Sequence, residues 1–237
     1  MNKEEINKAR AVYYGLFASL LTFFENANDL EVIQKTINVL ASNPLDEASK
    51  VAFSNMQNLL ITKDYSFLKE ESDKVFFSPY AAYIPVTASF YVESRDDGKL
   101  RLAMVNYVLS SKFRRDTKKF KELEDHIGFI VLFMQKLIED ELSGNEASAQ
   151  LSREVFVNIL NPFVDEFIAA LYAHELSHFY QELAVVMQSF IALERLYLDV
   201  KKPVKQDETP RVFINEIHKE RKPIKERPKK NMKEFVL

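Results

Sequence analysis

Two clusters in this 237-residue chain carry residue types that do chemistry. The first, Glu122-Leu123-Glu124-Asp125-His126-Ile127-Gly128, runs straight into the apolar stretch Phe129 to Met134. Carboxylates beside an apolar wall can receive guanidinium groups through charge-assisted, bidentate hydrogen bonds. Helix capping by Glu124 or Asp125, favoured by the positive end of the helix dipole, accounts for one carboxylate. It accounts neither for three nor for the adjacent histidine. The second cluster, His174-Glu175-Leu176-Ser177-His178, is a formal H-E-x-x-H string. On a helix, residues four apart share a face, so two imidazoles would grip one zinc ion while the glutamate activates water. A zinc metallopeptidase using His174, Glu175 and His178 is therefore one reading.

The rest of such a zinc site is missing from the sequence. Gln181 and Ala184 stand where the longer motif has glycine and a third histidine. Glu182 follows too closely on the same helix to close a tetrahedron, and Glu194 lacks the surroundings of a distant glutamate ligand. In a helical register His174 and His178 share a face with Phe163, Phe167, Ala170 and Leu171, the usual setting of structural histidines. No metal site and no catalytic residue is expected.

The elements that must position these clusters read as helices. Periodicity predicts them over 4–26, 28–42, 45–62, 80–92, 98–111, 124–142, 146–160, 162–180 and 182–200. Asn43-Pro44 ends one, Pro162 suits the first turn of another, and Ser143-Gly144-Asn145 is a turn. Helix 124–142 is apolar nearly all round, which puts it at the centre of a core. Residues 74–92, with Pro79 and Pro85 among aromatics, are the least regular part. With only 4 glycines, hairpins are disfavoured. The prediction is an all-α fold: a single compact domain of about nine helices over 1–200, then a flexible tail over 201–237.

Composition excludes several functions. The chain has no cysteine, so disulfides, thiolate zinc sites and iron–sulfur clusters are ruled out. Glycine-rich phosphate loops are absent too. Residues 1–200 carry 20 basic and 29 acidic side chains, against 12 and 6 in 201–237. A body at −9 argues against nucleic acid as a partner and suits a basic one. The apolar run from Val12 to Phe24 is too short to cross a bilayer, so membrane insertion is not expected. The protein reads as soluble and cytoplasmic.

Further segments carry a family resemblance. Arg10-x-x-Tyr-Tyr-Gly-Leu-Phe17, Ser89-Phe90-Tyr91, Glu122-x-x-Asp125-His126 with Phe133-Met134, and Phe156-x-x-x-Leu160-x-Pro162-Phe163 form one series. Phe179-Tyr180-x-x-Leu183-Ala184 and Phe190-x-x-x-Glu194 extend it, so that residues 9–198 are covered. The series resembles the TorD/DmsD family of cytoplasmic chaperones for molybdenum enzymes exported with twin-arginine leaders. Ile130 and Leu132 stand where many members carry further glutamates, and the family's tryptophans are missing.

The resemblance implies a TorD-like helical fold and no covalent chemistry. It implies binding of a molybdoenzyme catalytic subunit precursor and its twin-arginine leader, with assistance to cofactor insertion before export. The implied leader contacts are Tyr91, Glu122, Glu124, Asp125 and His126. The first would meet the leader's apolar stretch, and the carboxylates its arginines. No cofactor is expected to stay bound; the client's molybdenum cofactor would be handled in passing. Phe-Phe-Ser-Pro-Tyr80 and Arg114-Arg115 look most similar to members paired with formate dehydrogenase. A homodimer stays open, as does a helical adaptor unrelated to export. The basic tail is read as solvated; folding back over the acidic cluster is the alternative.

Overall fold

The computed structural model describes residues 2–22, 27–63, 65–118 and 120–204. The predicted flexible tail thus lies outside the described residues from 205 onward. Among the described residues ten helices follow in order: α1 (Lys3–Leu21), α2 (Ala27–Ala41), α3 (Glu47–Thr62), α4 (Tyr65–Phe77) and α5 (Ala88–Glu93), then α6 (Lys99–Ser110), α7 (Ile127–Leu142), α8 (Glu146–Val155), α9 (Val164–Ala173) and α10 (Phe179–Leu198). A π-turn, Phe156–Leu160, prolongs α8. No strand occurs among the described residues, so the fold is all-α as predicted.

Local chemistry sets the helix ends. Asn2 and Glu5 form a capping box at α1, and Asp46 with Ser49 forms one at α3. Asn145 accepts from the Ala147 N–H at the start of α8. The carboxylate of Glu71, on α4, accepts from the N–H groups of His178, Phe179 and Tyr180 at 2.7 to 3.0 Å. It thereby caps α10 from a different helix and meets its positive end.

Helix α7 is the central element. Ile127, Ile130, Met134, Leu137 and Ile138 are fully buried, and its long partner is α1. The contact is closest where α7 begins. A Cβ on Gly128 would sit 2.4 Å from the Leu21 carbonyl oxygen, so only glycine fits there. Helix α10 packs against α3 and α9 and buries Phe179, Leu183, Met187 and Ile191. No single helix among the described residues is long and apolar enough to cross a membrane. The bent pair α8–α9 passes on composition alone, and Phe156, Ile159, Phe167 and Leu171 bury its apolar faces in the core.

Four predictions need correction. Helix α4 was not expected, because its core-facing row Leu68, Glu71, Val75 is broken by a carboxylate that caps α10. The helix predicted over 80–92 is only the six residues of α5; Pro79 and Pro85 keep the chain before it irregular. Helix α7 starts at Ile127, three residues later than expected. The helix predicted over 162–180 stops at Ala173, and residues 174–178 form a turn.

Candidate functional site

The turn after α9 removes the premise of the zinc reading. His174 ends the helix with extended backbone, and the Ser177 N–H bonds back to its carbonyl at 3.0 Å. His174 is buried, and both ring nitrogens are used. Nδ1 accepts from the Leu176 N–H at 3.3 Å, which leaves Nε2–H to donate to the Ala82 carbonyl at 3.1 Å. His178 is exposed. The string is not helical, so the i, i+4 pairing that zinc chemistry requires is lost. His174 instead ties the irregular 78–87 stretch to the α9–α10 turn. No group of three or more metal-ligating side chains occurs among the described residues.

The other cluster is assembled by backbone. Residues 86–88 and 125–127 run side by side: Ala88 N–H bonds to Asp125 O at 2.9 Å, and Ile127 N–H to Val86 O at 2.8 Å. Thr87 and His126 form the single antiparallel bridge between them. The short α5 and the long α7 therefore start from one seam. Asp125 is fully buried there. Its Oδ2 accepts from the Ser89 N–H at 2.9 Å and caps α5, while Oδ1 has no hydrogen-bond partner among the described residues. The cap of α7 is His126, not a carboxylate: its Nδ1 accepts from the Gly128 N–H at 3.0 Å. Burial pushes the His126 imidazole down to about 4, so it is neutral at physiological pH.

Glu124 has two arginine partners. Arg101, on α6, donates from Nε at 2.9 Å, and Arg115 lies 3.0 Å from the other oxygen. Burial acts to raise the Glu124 carboxyl, but the Arg101 hydrogen bond and the Arg115 charge outweigh it and hold it below the usual carboxylate range. Arg101 also reaches Asp97 at 2.6 Å. Glu122 is exposed, and its backbone carbonyl accepts from Arg115 at 2.6 Å. Tyr91 points inward: it is 4% exposed, donates to the Pro85 carbonyl at 2.8 Å and stacks on Phe163.

Four of the five predicted site residues thus meet at the α5–α7 seam, and Tyr91 lies one turn into α5. Their exposure differs. Asp125, His126 and Tyr91 face the interior, and only Glu122 and the edge of Glu124 reach the surface. Sequence reasoning missed Arg101, and it named Arg115 for the family resemblance alone, not as part of the site. Counting charge locally reveals them, since residues 93–125 carry nine basic side chains against seven acidic ones. The corner is therefore not a patch of free carboxylates. It is an arginine–carboxylate network beside the buried face of α7.

Comparison with curated proteins finds no match. Residues 42–169, more than half of the chain and including the whole seam, match the nitrate reductase delta subunit model. The chain belongs to that TorD-like family, whose members are chaperones of molybdoenzyme maturation.

Proposed function

We propose that the chain binds the twin-arginine leader of a molybdoenzyme catalytic subunit in the cytoplasm and holds the precursor until its cofactor is in place. The observation that carries this reading is Glu124. It already receives two guanidinium groups at 2.9 and 3.0 Å, in a part-buried setting where such pairs are stronger than in bulk water. A leader with paired arginines followed by an apolar stretch offers the same groups, and α7 supplies an apolar face next to them. In this reading Glu122 and Glu124 meet the arginines. Asp125 and His126 hold the seam that presents them, and Tyr91 backs it. The client's molybdenum cofactor is handled in passing, and formate dehydrogenase is the client that the sequence pattern favours.

Titration calorimetry with a synthetic leader tests the reading. The paired-arginine peptide should bind, and its paired-lysine version should bind weakly, since lysine cannot reproduce the planar fork. Glu122→Gln with Glu124→Gln should weaken the first and barely change the second. Equal affinity for both peptides would sink the arginine-recognition reading. A precursor of another molybdoenzyme, pulled down in place of formate dehydrogenase, would correct the client alone.

A further inference from the structure

Glu124, His126 and the Phe129–Phe133 face of α7 are partly covered by the chain that leads into them. Between α6 and α7 the described residues 111–118 and 120–126 form no helix. Their own backbone bonds are few: Phe120 N–H to Asp116 O and His126 N–H to Leu123 O. Side chains hold the stretch down. Phe113 sets its ring edge-on against Phe133, with centroids 6.4 Å apart. Phe120 packs on His126 at 5.8 Å and on Phe129 at 5.2 Å. Between these two rings Arg115 reaches Glu124 and the Glu122 carbonyl. Its Nε, though buried, has no hydrogen-bond partner among the described residues. The stretch therefore lays one guanidinium onto the Glu124 carboxylate and two apolar rings beside His126 and the Phe129–Phe133 face of α7. Those are the groups that an arginine-bearing leader would bring.

We propose that the part of this stretch before Lys121 is a strap that occupies the leader's seat in cis, latched by Arg115 on Glu124, and that a leader docks by displacing it. The proposal rests on the leader-binding reading and adds the occupant of the empty state and the surface beneath it. Displacement exchanges like for like. The leader's guanidinium replaces Arg115, its apolar stretch replaces Phe113 and Phe120, and Arg101 stays in place on α6. The closed strap lowers the apparent affinity by the fraction of molecules in which it is open. It also keeps the aromatic face of α7 from water when no leader is present.

Hydrogen exchange and peptide affinity, measured on the full chain, test this together. Arg115→Ala should speed exchange of the amides in 112–118 and tighten binding of a paired-arginine peptide, each about tenfold if the latch holds the strap closed nine-tenths of the time. Arg115→Lys should restore most of the protection. Arg101→Ala frees Glu124 as well but leaves the strap latched, so its exchange in 112–118 should match the parent chain. Adding the peptide to the parent should itself speed exchange in 112–118. Unchanged protection in Arg115→Ala overturns the latch, and so does equal loosening by Arg101→Ala. Weaker peptide binding in Arg115→Ala overturns the displacement. A strap that loosens in Arg115→Ala while neither protein binds the peptide upholds the latch and sinks the leader-binding reading instead.

Discussion

Arg10 and Glu194, 184 residues apart, form a two-pronged ion pair inside the molecule, with Nε to Oε2 at 2.8 Å and Nη2 to Oε1 at 2.7 Å. Neither side chain is more than 5% exposed. The Tyr14 hydroxyl donates to Glu194 at 2.9 Å, and Asn7 takes a further Arg10 N–H at 2.8 Å. Removing one partner leaves the other charged and buried. Glu194→Ala should therefore cost about 3–5 kcal/mol, and Arg10→Met with Glu194→Leu distinctly less. Urea denaturation of the single and double variants checks this; equal losses would show that packing, not charge, dominates the site.

The start of α7 gives a second expectation. A methyl group at position 128 meets the Leu21 carbonyl and the Thr22 side chain, at 2.4 and 2.8 Å. Backbone must move to admit it, so Gly128→Ala should destabilise by roughly 1–3 kcal/mol despite alanine's better helix propensity. The denaturation midpoint reports it. An unchanged midpoint would mean that α1 and α7 slide apart without cost.

His126 makes stability depend on pH. The folded imidazole resists protonation down to about 4, whereas an unfolded one titrates near 6.5. Above 6.5 both states are neutral and nothing changes. Between 6.5 and 4 the unfolded state alone takes the proton, so stability falls as the pH falls, by roughly 2 kcal/mol at pH 5. Below 4 the loss levels off. His126→Asn keeps a capping side chain and removes the titration, so its stability should be flatter across that window. Identical pH slopes for the two proteins would assign the effect to other groups.

Glu71 links α4 to α10. Three amides share its carboxylate oxygen Oε1. Glu71→Ala should expose them and cost roughly 1–2 kcal/mol, at the upper end of capping effects because the charge also meets the helix dipole. Faster hydrogen exchange confined to residues 178–181 is the expected local sign. Uniform loosening of the whole domain would show a wider role for α4.

Most helices were legible because their apolar rows repeat at helical spacing. Helix α4 was not, since Glu71 occupies a core-facing position for a reason that lies 107 residues downstream. The same limit governs the candidate site. The spacing of Glu122, Glu124, Asp125 and His126 pointed to one corner of the chain, which the α5–α7 seam builds. It did not reveal that Asp125 caps α5, or that Arg101, 23 residues upstream, would already sit on Glu124. Pairings of that kind are made by the crossing of elements, which periodicity does not report. The H-E-x-x-H string failed for the opposite reason. Its letters suit a continuous helix, but the chain turns at His174, and no glycine or proline marks the break.

The pairing of α1 with α10 is antiparallel: Asn7 meets Tyr197, Tyr14 meets Glu194, and Leu20 meets Tyr180. The first and last helices of the body thus begin and end side by side. A short linker could join Val200 to Asn2, with new termini opened at Gly144, whose missing side chain faces empty space. Circular permutation would leave every helix pair intact. What the architecture depends on is which helices touch, and the order in which a ribosome delivers them is a separable property.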